Sequence, residues 1–161
     1  RHSRPITHNE NKNPGNADTG LLKDYAGKFG VNFNGDEDLK LVSCLAGWLN
    51  VPYKYGGNTK QGTDCSGLVS SVFQEVYNIA MYRSSADQLK NVREISKSQL
   101  KAGDLVFFKI DNNKVSHVGI YLGDNHFLHA PRTGAEVRVE SMDSSYWTKR
   151  YDGARRILDG N

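Results

Sequence analysis

The feature that most limits how this chain can fold is a change of hydrophobic period along it. Up to Val76 apolar residues recur at three- and four-residue intervals; from Leu105 they come in short β-forming runs separated by turn residues. Leu21, Leu22, Tyr25 and Phe29 predict a first helix, stopped by Gly30. Asp36, Glu37 and Asp38 suit the N-terminus of a second, whose apolar face carries Leu39, Val42, Leu45, Ala46 and Leu49 and which Pro52 ends. Cys44 lies inside it and reads as a small buried hydrophobe. Thr63 or Asp64 can cap a third helix, running from Cys65 through Val69, Val72, Phe73 and Val76. Residues 105–110, 116–122, 126–130 and 135–140 read as strands, with another at 153–158. Helices first and strands after imply an α+β fold, its N-terminal helices packed against an antiparallel β-sheet.

Composition narrows the range of partners. With 161 residues there is room for one domain with a real core. Residues 1–20 are polar and Asn-rich, with little apolar surface to offset ordering, so they are expected to form a flexible arm before a folded domain at 21–161. A net charge of +3, with no basic run interleaved with aromatics, gives no case for nucleic acid. No run of 18 apolar residues could span a membrane. The two cysteines and five histidines show neither a disulfide framework nor zinc-ligand spacing, so no metal and no cofactor are expected.

The chemistry concentrates at Cys65. Its position at a predicted helix start offers unpaired backbone N–H groups that stabilise a thiolate and can face an oxyanion. Ser66 and Gly67 keep that first turn narrow, while Leu68, Val69, Val72 and Phe73 bury the rest. A base is needed as well, and His117 is the candidate. In its strand His117, Gly119 and Tyr121 share one face, with Val118, Ile120 and Leu122 on the other. His129 ends the next strand, on the face of Phe127.

Whether the two histidines share a face depends on the turn between their strands. A regular two-residue loop, Asp124-Asn125, puts them on opposite faces. A three-residue loop, Gly123-Asp124-Asn125, or a two-residue loop with a bulge, puts them on the same one, with His129 opposite Gly119. If the Cys65 helix packs on that face, His117 can take the thiol proton while His129 holds its imidazole in the right tautomer. His126, beside the turn, is expected to be exposed.

Five ordered segments carry a family likeness. They are Tyr53-Lys54-Tyr55-Gly56-Gly57, Asp64-Cys65-Ser66-Gly67-Leu68-Val69, Gly103-Asp104-Leu105-Val106-Phe107-Phe108, His117-Val118-Gly119-Ile120-Tyr121-Leu122-Gly123 and Phe127-Leu128-His129-Ala130. Over residues 38–157 the chain resembles the NlpC/P60 family of cell-wall cysteine peptidases. The resemblance implies a papain-like fold and a catalytic triad of Cys65, His117 and His129. It also implies that Tyr53 helps to bind substrate or oxyanion, and that Asp64 and Ser66 hold a free amine or carboxylate of a stem peptide. Arg83-Ser84-Ser85 and Gln88 match a family segment after the catalytic helix, although Met81-Tyr82 stands where Leu-Pro is common. The implied partner is the stem peptides or crosslinks of peptidoglycan, acted on by a monomer in the cell envelope. Membrane contact is expected only through a lipid anchor removed from the chain. An acyltransferase on the same scaffold, or a wall-binding module without catalysis, remain alternatives.

Overall fold

The computed structural model describes residues 4–5, 16–89, 92–111 and 113–159. Helix α1 spans Asn16–Phe29, α2 Leu39–Ala46, α3 Cys65–Tyr77 and α4 Ser145–Arg150. The strands are β1 Arg4–Pro5, β2 Asn58–Thr59, β3 Gly62–Thr63, β4 Val92–Ile95, β5 Leu105–Phe108, β6 His117–Gly123, β7 His126–His129, β8 Arg138–Ser141 and β9 Tyr151–Asp159. Strands β2 and β3 form a small hairpin. The others make one antiparallel sheet in which β9, β5, β6, β7 and β8 lie side by side, and β1 and β4 also pair with β9.

Both faces of this sheet are covered, which is why β5 is an unbroken apolar run, Leu105-Val106-Phe107-Phe108, with every side chain fully buried. Leu105, Phe107, Val118, Ile120, Leu122 and Leu128 meet Leu22 and Phe29 of α1, Leu41, Val42 and Leu45 of α2, and Leu68, Val69, Val72 and Phe73 of α3. On the other face Val106, Phe108, Tyr121, Phe127 and Ala154 form a second core with Ile95, Met142 and Trp147. Truncating a fully buried ring such as Phe107 would cost about 3–5 kcal/mol.

The α+β architecture is the expected one, and the differences are local. Of the expected flexible arm, residues 16–20 form the first turns of α1 and Arg4–Pro5 pair as β1 with β9, while 1–3 and 6–15 lie outside the described residues. Helix α2 starts beyond its cap Asp38, whose carboxylate accepts from the Lys40 N–H at 3.0 Å, and ends at Ala46 rather than continuing to Leu49. The short elements β2, β3, β4 and α4 have no counterpart in the sequence reading, since two to six residues carry too little periodicity to register.

The turn between β6 and β7 resolves the question of faces. Ile120 pairs with Leu128 and Tyr121 with Phe127, but Gly123 pairs with His126, so Leu122 is an extra residue. The loop is Asp124-Asn125 with φ of 51° and 60°, the left-handed pair that a tight hairpin needs, combined with a bulge. This is one of the two geometries that place His117 and His129 on a common face.

Candidate active site

Helix α3 begins at Cys65 because Asp64 caps it. Asp64 Oδ1 accepts from the Gly67 N–H at 2.8 Å, a cap worth about 1 kcal/mol. Its other oxygen accepts from the Gly56 N–H at 2.8 Å, tying the preceding loop to the helix start. Arg83 closes the set: its guanidinium reaches Asp64 at 3.0 Å, the Ser66 hydroxyl at 2.8 Å and the Gly57 carbonyl at 3.1 Å. Gln88 donates to the Ser66 carbonyl at 3.1 Å. Gly67 is required here, because a Cβ would stand 2.1 Å from the Gly57 carbonyl oxygen. Asp64 and Ser66 are both buried, so the residues flanking the cysteine are held by the protein's own groups.

Cys65 itself is partly exposed, and Cys44 is the other free cysteine. Burial pushes the Cys65 thiol up, and the Asp64 charge adds to this, while the polar backbone at Val118, and more weakly at Ser66 and Cys65 itself, pulls the other way. The proximity of Val118 matters for position. Its N–H belongs to the peptide joining His117 to Val118, so the sulfur lies against the first residues of β6. Tyr53 is half-buried nearby; burial and the charges of Cys65 and Asp64 push its hydroxyl up, which keeps it a donor.

On the second-core face of the sheet, His117 Nε2 lies 2.7 Å from His129 Nδ1, both rings buried. Gly119, between them in register, leaves the room: a Cβ there would meet a Phe127 ring carbon at 2.7 Å and His129 Cβ at 3.4 Å. Trp147 stacks on His117 with ring centroids 5.5 Å apart and meets His129 edge-on at 5.0 Å. Burial, with His129 beside it, holds the His117 imidazole well below its ordinary value; burial also lowers His129, against the pull of Glu140. Both are therefore neutral at pH 7.

Three features were not legible in the sequence. The apolar side of α3 packs on Val118, Ile120 and Leu122, opposite the histidine face. The condition that the cysteine's helix should cover the histidines is thus not met, and the sulfur reaches β6 at its end instead. Glu140 on β8 is the second: its Oε2 lies 2.5 Å from His129 Nε2 and 3.2 Å from Arg138 Nε, and its Oε1 accepts from Trp147 Nε1 at 3.1 Å. Burial raises this carboxyl, but the bonds from His129, Trp147 and Arg138 outweigh it and bring it down to about 2. The third is the clamp by Arg83, which in the sequence was only part of a family segment. His126 is half-buried and its Nδ1 lies 2.6 Å from the Asp124 carbonyl. Among the described residues no group of three or more His, Cys, Asp or Glu could hold a metal ion, and no helix is long and apolar enough to cross a membrane.

The fold that carries this arrangement is the papain-like α+β one, with the cysteine opening a buried helix and the histidines on the sheet. Residues 50–156 match the NlpC/P60 family, and the chain belongs to it. It is 45% identical over 121 residues to the Haemophilus influenzae protein named "Probable endopeptidase NlpC homolog", covering 75% of this chain and 63% of that one. It is 42% identical over 125 residues to the Escherichia coli protein named "Murein DD-endopeptidase MepS/Murein LD-carboxypeptidase", covering 78% and 65%. The chain thus spans just under two thirds of the length of each. The crystal structure of an NlpC/P60 family protein from Bacillus cereus superposes with a TM-score of 0.68 at 32% identity, over 74% of this chain and 39% of that one.

Proposed function

We propose that the protein is a cysteine peptidase hydrolysing amide bonds in the stem peptides or crosslinks of peptidoglycan, with Cys65 as nucleophile, His117 as base and His129 orienting His117. The observation that carries this reading is the buried 2.7 Å contact between His117 and His129 beside the peptide on which the Cys65 sulfur rests. Family membership supports the substrate class, as does the activity for which the Escherichia coli relative is named. A cell-envelope location follows from that substrate.

In the free enzyme burial favours the neutral thiol and the neutral imidazole together. The thiol proton passes to His117 Nδ1 as the sulfur attacks the substrate carbonyl. The N–H groups of Cys65 and Ser66, in the first turn of α3, and the Tyr53 hydroxyl face the oxyanion that forms. His117 then protonates the leaving amine, leaving a thioester on Cys65. Water gives a proton to His117, attacks the thioester and releases the acid, and the proton returns to the sulfur. Asp64 and Ser66, held by Arg83, form the rim on which the stem peptide's charged end would lie.

Mass spectrometry of defined muropeptides before and after digestion tests this. Wild-type protein is expected to release stem-peptide fragments and Cys65→Ala none; equal products from both would refute it. Added amines that appear in the products would move the assignment to acyl transfer.

A further inference from the structure

We propose that Glu140 is a positioning residue that sets the direction of hydrogen bonding through both histidines and so leaves His117 Nδ1 free to take the thiol proton. The argument rests on the Cys65–His117 reading above and deepens it. An ionised carboxylate can only accept. At 2.5 Å from Glu140, His129 Nε2 must therefore carry the hydrogen. A neutral imidazole has one N–H, so His129 Nδ1 is a bare acceptor, and His117 Nε2 at 2.7 Å must donate to it. That leaves the lone pair of His117 on Nδ1. One carboxylate, two rings away, thus determines the tautomer of the base.

The surroundings hold Glu140 in this role. Trp147 Nε1 donates to Oε1 and Arg138 Nε to Oε2, so donors approach both oxygens. Arg138 and Arg132 are the other charges acting on His129, and neither can accept a hydrogen bond from it. Register supports the placement: on β8, Glu140 pairs with Phe127 and Arg138 with His129, which puts both on the histidine face. Trp147 packs against both imidazoles, and His129 is fully buried, so its ring meets Glu140 and not solvent.

Glu140→Gln is the informative variant, because it keeps the shape and replaces one acceptor by a donor. With its nitrogen toward Trp147 it loses that bond; with its nitrogen toward His129 it favours the opposite tautomer, which propagates to His117 and blocks Nδ1. Long-range 1H–15N spectra of the full chain at pH 7.5 read the tautomers directly, without activity. Wild type is expected to show the Nε2–H form of both histidines, and Glu140→Gln a mixture containing Nδ1–H. The rate of Cys65 alkylation by iodoacetamide and kcat on crosslinked muropeptides should fall about 10- to 100-fold, with KM unchanged; a wrong tautomer in a Ser-His-Asp triad costs about 10⁴. An Nδ1–H tautomer of His129 in wild type overturns the proposal even if the variant does not fold. So does a variant with wild-type tautomers, or one with altered tautomers and unchanged kcat and alkylation. Cys65→Ala run alongside separates the two levels: if it still cleaves, the nucleophile assignment has failed, while the tautomers remain a test of Glu140.

Discussion

Replacing Gly119 by alanine tests whether the close approach of the two histidines depends on an empty place in β6. Gly119 has no positive φ, so the substitution adds a methyl group and no backbone strain. That methyl would stand 2.7 Å from a Phe127 ring carbon and 3.2 Å from the Leu128 carbonyl oxygen. Ordinary contact begins near 3.4 Å, so the ring must retreat by about 0.7 Å. It has nowhere to go: Phe127 is fully buried, with ring centroids 5.0 Å from Phe108, 5.4 Å from Trp147 and 4.6 Å from His129. Overpacking of this kind costs about 1–3 kcal/mol, and the boxed ring argues for the upper end.

Urea unfolding of Gly119→Ala, Phe127→Leu and the double variant would measure it. Phe127→Leu alone leaves space and should cost roughly 1–2 kcal/mol. If the clash is the cause, that space accommodates the methyl. The double variant should then be less destabilised than the sum of the singles by at least about 1 kcal/mol. Muropeptide cleavage should follow, because movement of Phe127 displaces His129 from His117 Nε2. Additive single effects, or a Gly119→Ala cost below about 0.5 kcal/mol, would refute the argument.

Tyr53→Phe removes only a hydroxyl; if that group faces the oxyanion, kcat should fall about 10²-fold with stability nearly unchanged, and an effect confined to KM would assign Tyr53 to binding instead. Arg83→Lys keeps a charge but cannot reproduce the fork onto Asp64, Ser66 and Gly57, so it should raise KM several-fold and behave more like Arg83→Ala than like wild type in steady-state kinetics. Stability should decline as pH falls. Glu140, held down to about 2 in the folded protein against 4.5, contributes roughly 3 kcal/mol that is complete above pH 4.5 and lost toward pH 2. His117 and His129 lie below 6.5, so protonation of the unfolded chain removes their contribution as pH drops through that value. Urea midpoints at pH 7.5, 5.5 and 4.0 should fall in that order, and a flat series would contradict these shifts.

The helices of the first half and the strands of the second were legible because their periods are long enough to see. Val42, Leu45, Leu68, Val72, Ile120 and Leu122 are buried, as their spacing requires, while Leu39 and Leu49 are only partly so and Leu41, outside the face read from spacing, is fully buried. The turn at Asp124-Asn125 was legible only as a condition, since nothing local in the sequence shows that Leu122 would bulge. Glu140 was legible in a strand, 135–140, but not on a face. Residues 130–137 separate β7 from β8 without a tight turn to set their register, so the face that Glu140 takes is unreadable without coordinates. The clamp by Arg83 is hidden for the same reason, its partners lying 17 to 26 residues away in sequence.

One condition set on the sequence is not met, and the way it is missed is instructive. It asked that the cysteine's helix pack on the histidine face, but the apolar side of α3 packs instead on Val118, Ile120 and Leu122, which point away from His117. The sheet therefore divides the site. Cys65 packs against the helix-side core and the imidazoles against the aromatic core opposite, with the backbone of Val118, near the start of β6, beside the sulfur. That division has a chemical consequence. Enclosed by Phe108, Phe127 and Trp147, the imidazoles have little water to settle their protonation. The direction of the hydrogen bonds must then come from a group fixed within the same core. Of the groups bonded to His129 there, Glu140 is the carboxylate, and it reaches the ring nitrogen that His117 leaves open.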